Sequence, residues 1–217
     1  MTTRWRKRNG GQAVGAVLTA WAAVAAPIAL PAQSSLHLAA GVRHASTLVH
    51  DSIGGPVDLR PALAPTVLVT VRDELRGPWS VDATLDVSPG RLRRHETAGA
   101  FSAGSFTAFA FSVGLQRRLG RGVSARVAAG ALKYAAAATG VFREGSGGLF
   151  PLGGLAVTYA PAFGARRRLE IEARYDLHRF ITPALKTEGF TDGRPVHRVA
   201  LLLRLGWGPR AMAEATP

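Results

Sequence analysis

The sequence predicts an all-β fold: an eight-stranded antiparallel up-and-down transmembrane β-barrel, preceded by a cleavable signal peptide. Three observations lead there. Apolar and polar residues alternate with period two through segment after segment beyond residue 33, as in strands whose two faces meet unlike surroundings. The connections between these segments are long and short in turn, and a meander then sends every long loop to one end and every short turn to the other. Aromatic residues gather near both ends, where a membrane barrel meets its two interfaces.

The chain opens with Arg4, Arg6, Lys7 and Arg8, followed by an uncharged, Ala/Val/Leu-rich run from Ala13 to Leu30. Leu30-Pro31-Ala32 then offers a small-residue cleavage site before Gln33. That is the layout of a secretory signal. The expected organisation is a signal peptide over 1–32, a barrel over 33–207 and a short tail over 208–217.

Export changes the meaning of the charge. The 217 residues hold 27 Lys and Arg against 14 Asp and Glu, a net charge of +13, yet only 19% of residues are charged and 47% are hydrophobic. A basic sum of this size suggests a nucleic-acid binder. Four of those thirteen excess charges, however, lie in the signal, which leaves +9 on an exported body, and no nucleic-acid partner is expected. The chain has no cysteine, which excludes a disulfide scaffold and any thiolate metal site. His37, His44, His50, His95, His178 and His197 are scattered without a metal-ligand spacing, so neither metal nor cofactor is expected. Gly145-Ser146-Gly147-Gly148 resembles a phosphate loop in composition only; no lysine follows, and it reads as a loop tip.

The strands follow in order. In the first, Leu36, Leu38, Ala40 and Val42 oppose His37, Ala39, Gly41 and Arg43. In the second, Val67, Val69 and Val71 oppose Thr66, Leu68, Thr70 and Arg72. Trp79, Val81, Ala83, Leu85 and Val87 oppose Ser80, Asp82, Thr84, Asp86 and Ser88 in the third. The fourth sets Phe109, Phe111, Val113 and Leu115 against Ala108, Ala110, Ser112, Gly114 and Gln116. The fifth sets Val123, Ala125, Val127 and Ala129 against Ser124, Arg126, Ala128 and Gly130, and the sixth sets Leu155, Val157 and Tyr159 against Gly154, Ala156 and Thr158. The last two alternate most cleanly. Leu169, Ile171, Ala173, Tyr175 and Leu177 oppose Arg168, Glu170, Glu172, Arg174, Asp176 and His178; Val199, Leu201, Leu203, Leu205 and Trp207 oppose Arg198, Ala200, Leu202, Arg204 and Gly206. Each segment has roughly 8–11 residues, the length that crosses a bilayer when tilted.

Long loops are expected at about 47–63, 89–104, 135–150 and 180–196, and short turns at 73–77, 119–122 and 161–167. Trp79, Tyr159 and Trp207 then share the short-turn rim, while Phe101, Phe106, Phe142, Phe150 and Phe180 fall near the long-loop rim. Arg117, Arg118, Arg121 and the run Arg166-Arg167-Arg168 lie at the short turns, with stems along the barrel and heads among the lipid headgroups.

This architecture resembles the small eight-stranded outer-membrane β-barrels of the OmpX/OmpA type over about 33–207. The last strand, Val199 to Trp207, resembles their C-terminal assembly signal, although here Gly208 to Pro217 follow it. The tail is far too short for a peptidoglycan-binding domain. The resemblance implies an outer-membrane location, lipid and lipopolysaccharide as neighbours, a monomer, and a structural or surface-interaction role through long outward loops. A soluble secreted barrel with the faces reversed is the alternative fold.

Two sets of residues stand out. Eight strands leave a lumen that side chains can fill. Arg43, Arg72, Arg126, Arg174 and Arg204 would there meet Asp82, Asp86, Glu170, Glu172 and Asp176 as a structural ion-pair network rather than a conducting pore. The second set is Arg91, Arg93, Arg94 and His95, a basic cluster in the second long loop suited to phosphates or acidic surface polymers. Two other functions are weighed: a narrow channel for small solutes, and a lipid A-modifying enzyme. His44-Ala45-Ser46 with Asp58 has the His-x-Ser-plus-acid composition of the outer-membrane lipid A deacylases, although those carry the pair late in the chain and the flanking residues differ. No catalytic residue is expected.

Overall fold

The computed structural model describes residues 34–51, 57–136, 140–142, 148–161 and 168–207. The expected signal over 1–32, the glycine-rich stretch at 145–147, the bases Arg166 and Arg167, and the 208–217 tail lie outside the described residues.

Among the described residues there are ten strands: β1 (Ser34–Ala45), β2 (Val49–Asp51), β3 (Val57–Pro61), β4 (Ala64–Glu74), β5 (Trp79–Glu96), β6 (Gly99–Gly120), β7 (Val123–Ala136), β8 (Phe150–Tyr159), β9 (Arg168–Phe180) and β10 (Arg194–Trp207). Neighbours run β5-β4-β1-β10-β9-β8-β7-β6, and β5 pairs with β6 to close the ring. The first strand lies between β4 and the last strand, with Leu38 opposite both Val69 and Leu205. These eight staves are the eight alternating segments. Closure pairs every stave on both sides, so no edge is left inside lipid.

The faces settle which side meets lipid. Leu38, Leu85, Phe111, Val127, Leu155, Ile171, Leu201 and Leu203 are exposed on the outer wall, while the polar partners on each strand are buried inside. An apolar wall around a charged interior is the reverse of a soluble barrel and fits hydrocarbon. At the short-turn rim Trp79, Tyr159 and Trp207 point outward, and the Arg117 guanidinium lies 5.3 Å from the centre of the Trp79 ring. Such a pair suits the headgroup layer.

The long-loop end differs from expectation in two ways. First, residues 89–104 are no loop. β5 and β6 continue as one hairpin as far as Glu96 opposite Gly99. Residues 47–63 contribute β2 and β3, and β3 adds to the free edge of β5 with Leu59 opposite Arg94. Beyond the hydrocarbon a strand needs no apolar stripe, so backbone pairing carries on after the alternation fades. A bulge sets Ala103 and Gly104 against Leu92 alone, and Gly104 supplies the positive φ of 107° that the bulge uses.

Second, the aromatics at this end form no outer girdle. Phe106, Phe142, Phe150 and Phe180 turn inward and pack with Tyr134, Leu132, Leu152 and Val196 into an apolar core above the polar lumen. Phe101 alone of the five is exposed. The 180–196 connection holds a short helix, α1 (Pro183–Thr187), whose Leu185 joins that core. Thr182, its N-cap, donates from Oγ1 to the Val141 carbonyl (2.6 Å) and so ties α1 to the turn at Gly140–Phe142.

Candidate functional site

The interior is built in layers along the barrel. Nearest the short turns, Arg204 is paired with Glu172 and stands 3.9 Å from Glu170, which is also 3.9 Å from Arg72. Above them Arg126 grips Asp82: Nε donates to both carboxylate oxygens (2.9 and 2.8 Å) and Nη2 donates to Oδ1 (2.5 Å). This bond spans from β7 to β5 across β6, and Gly114 on β6 makes the room. A Cβ there would stand 2.5 Å from Arg126 Nε. The next layer joins Arg43 to Asp86 (2.7 Å) and Ser88 (2.9 Å), and Arg174 Nε to both oxygens of Asp176 (3.0 and 3.1 Å). Arg43 Nη2 stands 3.7 Å from Asp176 and links the two pairs. Tyr134 closes the stack from above through a 3.0 Å hydrogen bond between its hydroxyl and His178 Nε2.

All ten residues of the expected network are therefore buried inside, each arginine next to an acid. Arg198 is a further buried arginine that the sequence reading left out of the network. It shares the inner face of β10 with Arg204, and that shared parity was the available signal. With it, six guanidinium groups face five carboxylates among the described residues of the lumen. Ion pairs this deeply buried are costly to break, because the partner left behind has no water to turn to.

The second site is the outer hairpin. Arg91, Arg93, Arg94 and His95 lie on β5, not in a loop, and period two divides them. Arg91, Arg93 and His95 share the outer face; Arg94 faces the other way, toward the mouth, and bridges to Glu96. The added strands extend the outer face. His50 on β2 lies opposite Asp58 on β3, which lies opposite His95 on β5. Arg60 on β3 stands directly opposite Arg93. Among the described residues the patch thus gathers His50, Arg60, Arg91, Arg93 and His95 around a single acid, Asp58. Arg60 and His50 could not be assigned to it from sequence, since the strands that carry them read as a loop.

Asp58 accepts from Arg60 and shares a 2.7 Å hydrogen bond with His50 Nδ1. The bond to His50, then that to Arg60, holds its carboxyl below the usual range of an aspartate. Because the shift is downward, the link is fully formed above the ordinary carboxylate range and is released only as pH falls through the lowered value. Asp58 is therefore turned to His50 and Arg60 rather than to His44. Ser46 Oγ accepts from the His197 backbone N–H (3.0 Å).

No family model matches the chain, and no curated protein matches it. Solved structures do. Neisserial surface protein A superposes with a TM-score of 0.51 at 10% identity, over 80% of this chain and 96% of that one. The outer membrane protein AlkL, determined in DMPC lipid bilayers, gives 0.52 at 12% identity over 100% of both chains. Ail, the attachment invasion locus protein of Yersinia pestis, gives 0.48 at 15% identity over 81% and 99%. The fold is that of the small outer-membrane β-barrels.

Proposed function

We propose that the protein is a monomeric, non-enzymatic outer-membrane barrel that acts at the cell surface by holding anionic groups on its basic outer sheet, the phosphates of lipopolysaccharide first among them. The observation that carries this reading is the sharing of one exposed face by Arg91, Arg93 and His95, with Arg60, offset only in part by its pairing to Asp58, directly opposite Arg93. Like charges opposite each other across a strand pair are unfavourable. An anion lying between them relieves that repulsion and gains charge-assisted hydrogen bonds. The sheet stands beyond the apolar wall at the long-loop end, the end that faces outward in barrels of this fold.

The test is binding to purified lipopolysaccharide at low ionic strength. The triple variant Arg60→Gln/Arg91→Gln/Arg93→Gln is expected to lose about ten-fold or more in affinity, roughly 1.4 kcal/mol or above. Raising the salt should weaken the native protein and leave the variant little changed. Equal binding by both proteins, or equal binding to dephosphorylated lipopolysaccharide, contradicts the reading.

The layered ion pairs support a closed lumen over a solute channel. Folded monomer in planar bilayers is expected to give no steady unitary current, and a reproducible conductance step would show an open path.

A further inference from the structure

We infer that the outer projection carries a second, separate site, a cavity for an uncharged and largely apolar small molecule. The cavity measures about 600 Å³ and is walled by Val49, Leu59, Leu92, Ala103, Leu185 and Phe190. It lies on the inner face of the same sheet whose outer face bears the basic patch. Alternation accounts for this: on β3, Leu59 falls between the outward Asp58 and Arg60, and on β5, Leu92 falls between Arg91 and Arg93. The size is that of a pocket that encloses most of a small ligand.

Its floor is closed. Leu92 and Leu185 belong to the apolar core that caps the lumen, and Phe190 and Val141 pack against that core. A molecule seated here rests on the cap and meets none of the buried ion pairs. Three charged residues line the cavity: Arg94, Asp51 and Glu188. Arg94 is bridged to Glu96, and Asp51 and Glu188 each have an interaction of their own. One occupied cation beside two carboxylates offers nothing to an anionic head. Apolar walls with satisfied charges select a neutral guest, held mainly by burial of its hydrocarbon. This site therefore differs in chemistry from the anion-binding face behind it.

The absence of cysteine in the chain makes the test direct. Ala103→Cys places one thiol on the cavity wall, and Thr97→Cys at the hairpin tip serves as control; both are made in full-length barrel in lipid nanodiscs. The rate of maleimide labelling is measured with 1-decanol, decanoate or decylamine. Decanol is expected to slow labelling of the cavity-wall thiol saturably, about ten-fold at ten times its Kd, without slowing the control thiol at the hairpin tip. Decanoate and decylamine should protect less. Val57→Cys, on the same wall and with the parity of Leu59, replaces Ala103→Cys if that variant fails to give a heat-modifiable barrel. A thiol that resists labelling in the free protein shows a cavity filled by the chain itself, and overturns the inference. So does absence of protection, or protection by decanoate equal to that by decanol. Because the readout involves no arginine of the outer face, it stands or falls independently of lipopolysaccharide binding.

Discussion

Asp82→Ala is expected to cost the barrel about 3–5 kcal/mol of stability, the usual consequence of removing one partner from a buried pair. Arg126 Nε lies 2.9 and 2.8 Å from the two oxygens of Asp82, and both side chains are almost wholly shielded. Ser112 and Thr84, at 3.3 and 3.4 Å, are its other partners, and neither carries charge. Removing the carboxylate therefore strands a guanidinium that water reaches poorly. The double variant Asp82→Met/Arg126→Met separates this from the worth of the pair itself. Replacing both charges with apolar groups of similar bulk is often neutral or better, so the double variant should recover most of the loss. Urea titration in lipid, followed by the gel shift between folded and boiled barrel, measures both. A single-variant loss below about 1 kcal/mol would mean that the lumen is wet enough to solvate Arg126.

The staves were legible because lipid on one side and packed polar groups on the other impose the same two-residue period on all eight. The inner residues followed from parity alone. Their partners did not. That Arg126 reaches Asp82 depends on closure of the ring and on the lack of a side chain at Gly114, and no linear pattern records either. The outer projection was illegible for a different reason. Past the hydrocarbon the apolar stripe ends and residues 89–104 read as a long loop, yet β5 runs on to Glu96 because β3 and β6 still pair with its backbone. The inward phenylalanines were legible in principle. Phe106 has the parity of the inner-face Ala108 and Ala110, Phe150 that of Leu152, and Phe180 that of His178. Position along the chain suggested an outer rim, whereas parity pointed to the interior, and packing followed parity.

Tyr134 is the centre of that packing, and its truncation tests what closes the barrel. Its ring meets Phe106 and Phe180 at 5.4 Å, Phe150 and His178 at 5.8 Å and Phe142 at 6.1 Å between centroids, and only 2% of its surface is exposed. Tyr134→Ala removes the whole ring from a site whose walls are β-strands that cannot collapse inward, so a loss of about 3–5 kcal/mol is expected. Tyr134→Phe keeps the packing and forfeits only the 3.0 Å hydrogen bond to His178, which leaves one buried polar group short of a partner at about 1–3 kcal/mol. The contrast between the two separates packing from hydrogen bonding. Conductance then separates cap from plug. In Tyr134→Ala the aromatic cap is holed, but the layers of Arg43–Asp86, Arg174–Asp176 and Arg126–Asp82 beneath it are untouched. A destabilised yet still non-conducting barrel is expected, since those side chains fill the cross-section below. A steady current through Tyr134→Ala would instead place the seal in the aromatic layer, and would make the buried charges the lining of a gated path rather than its stopper.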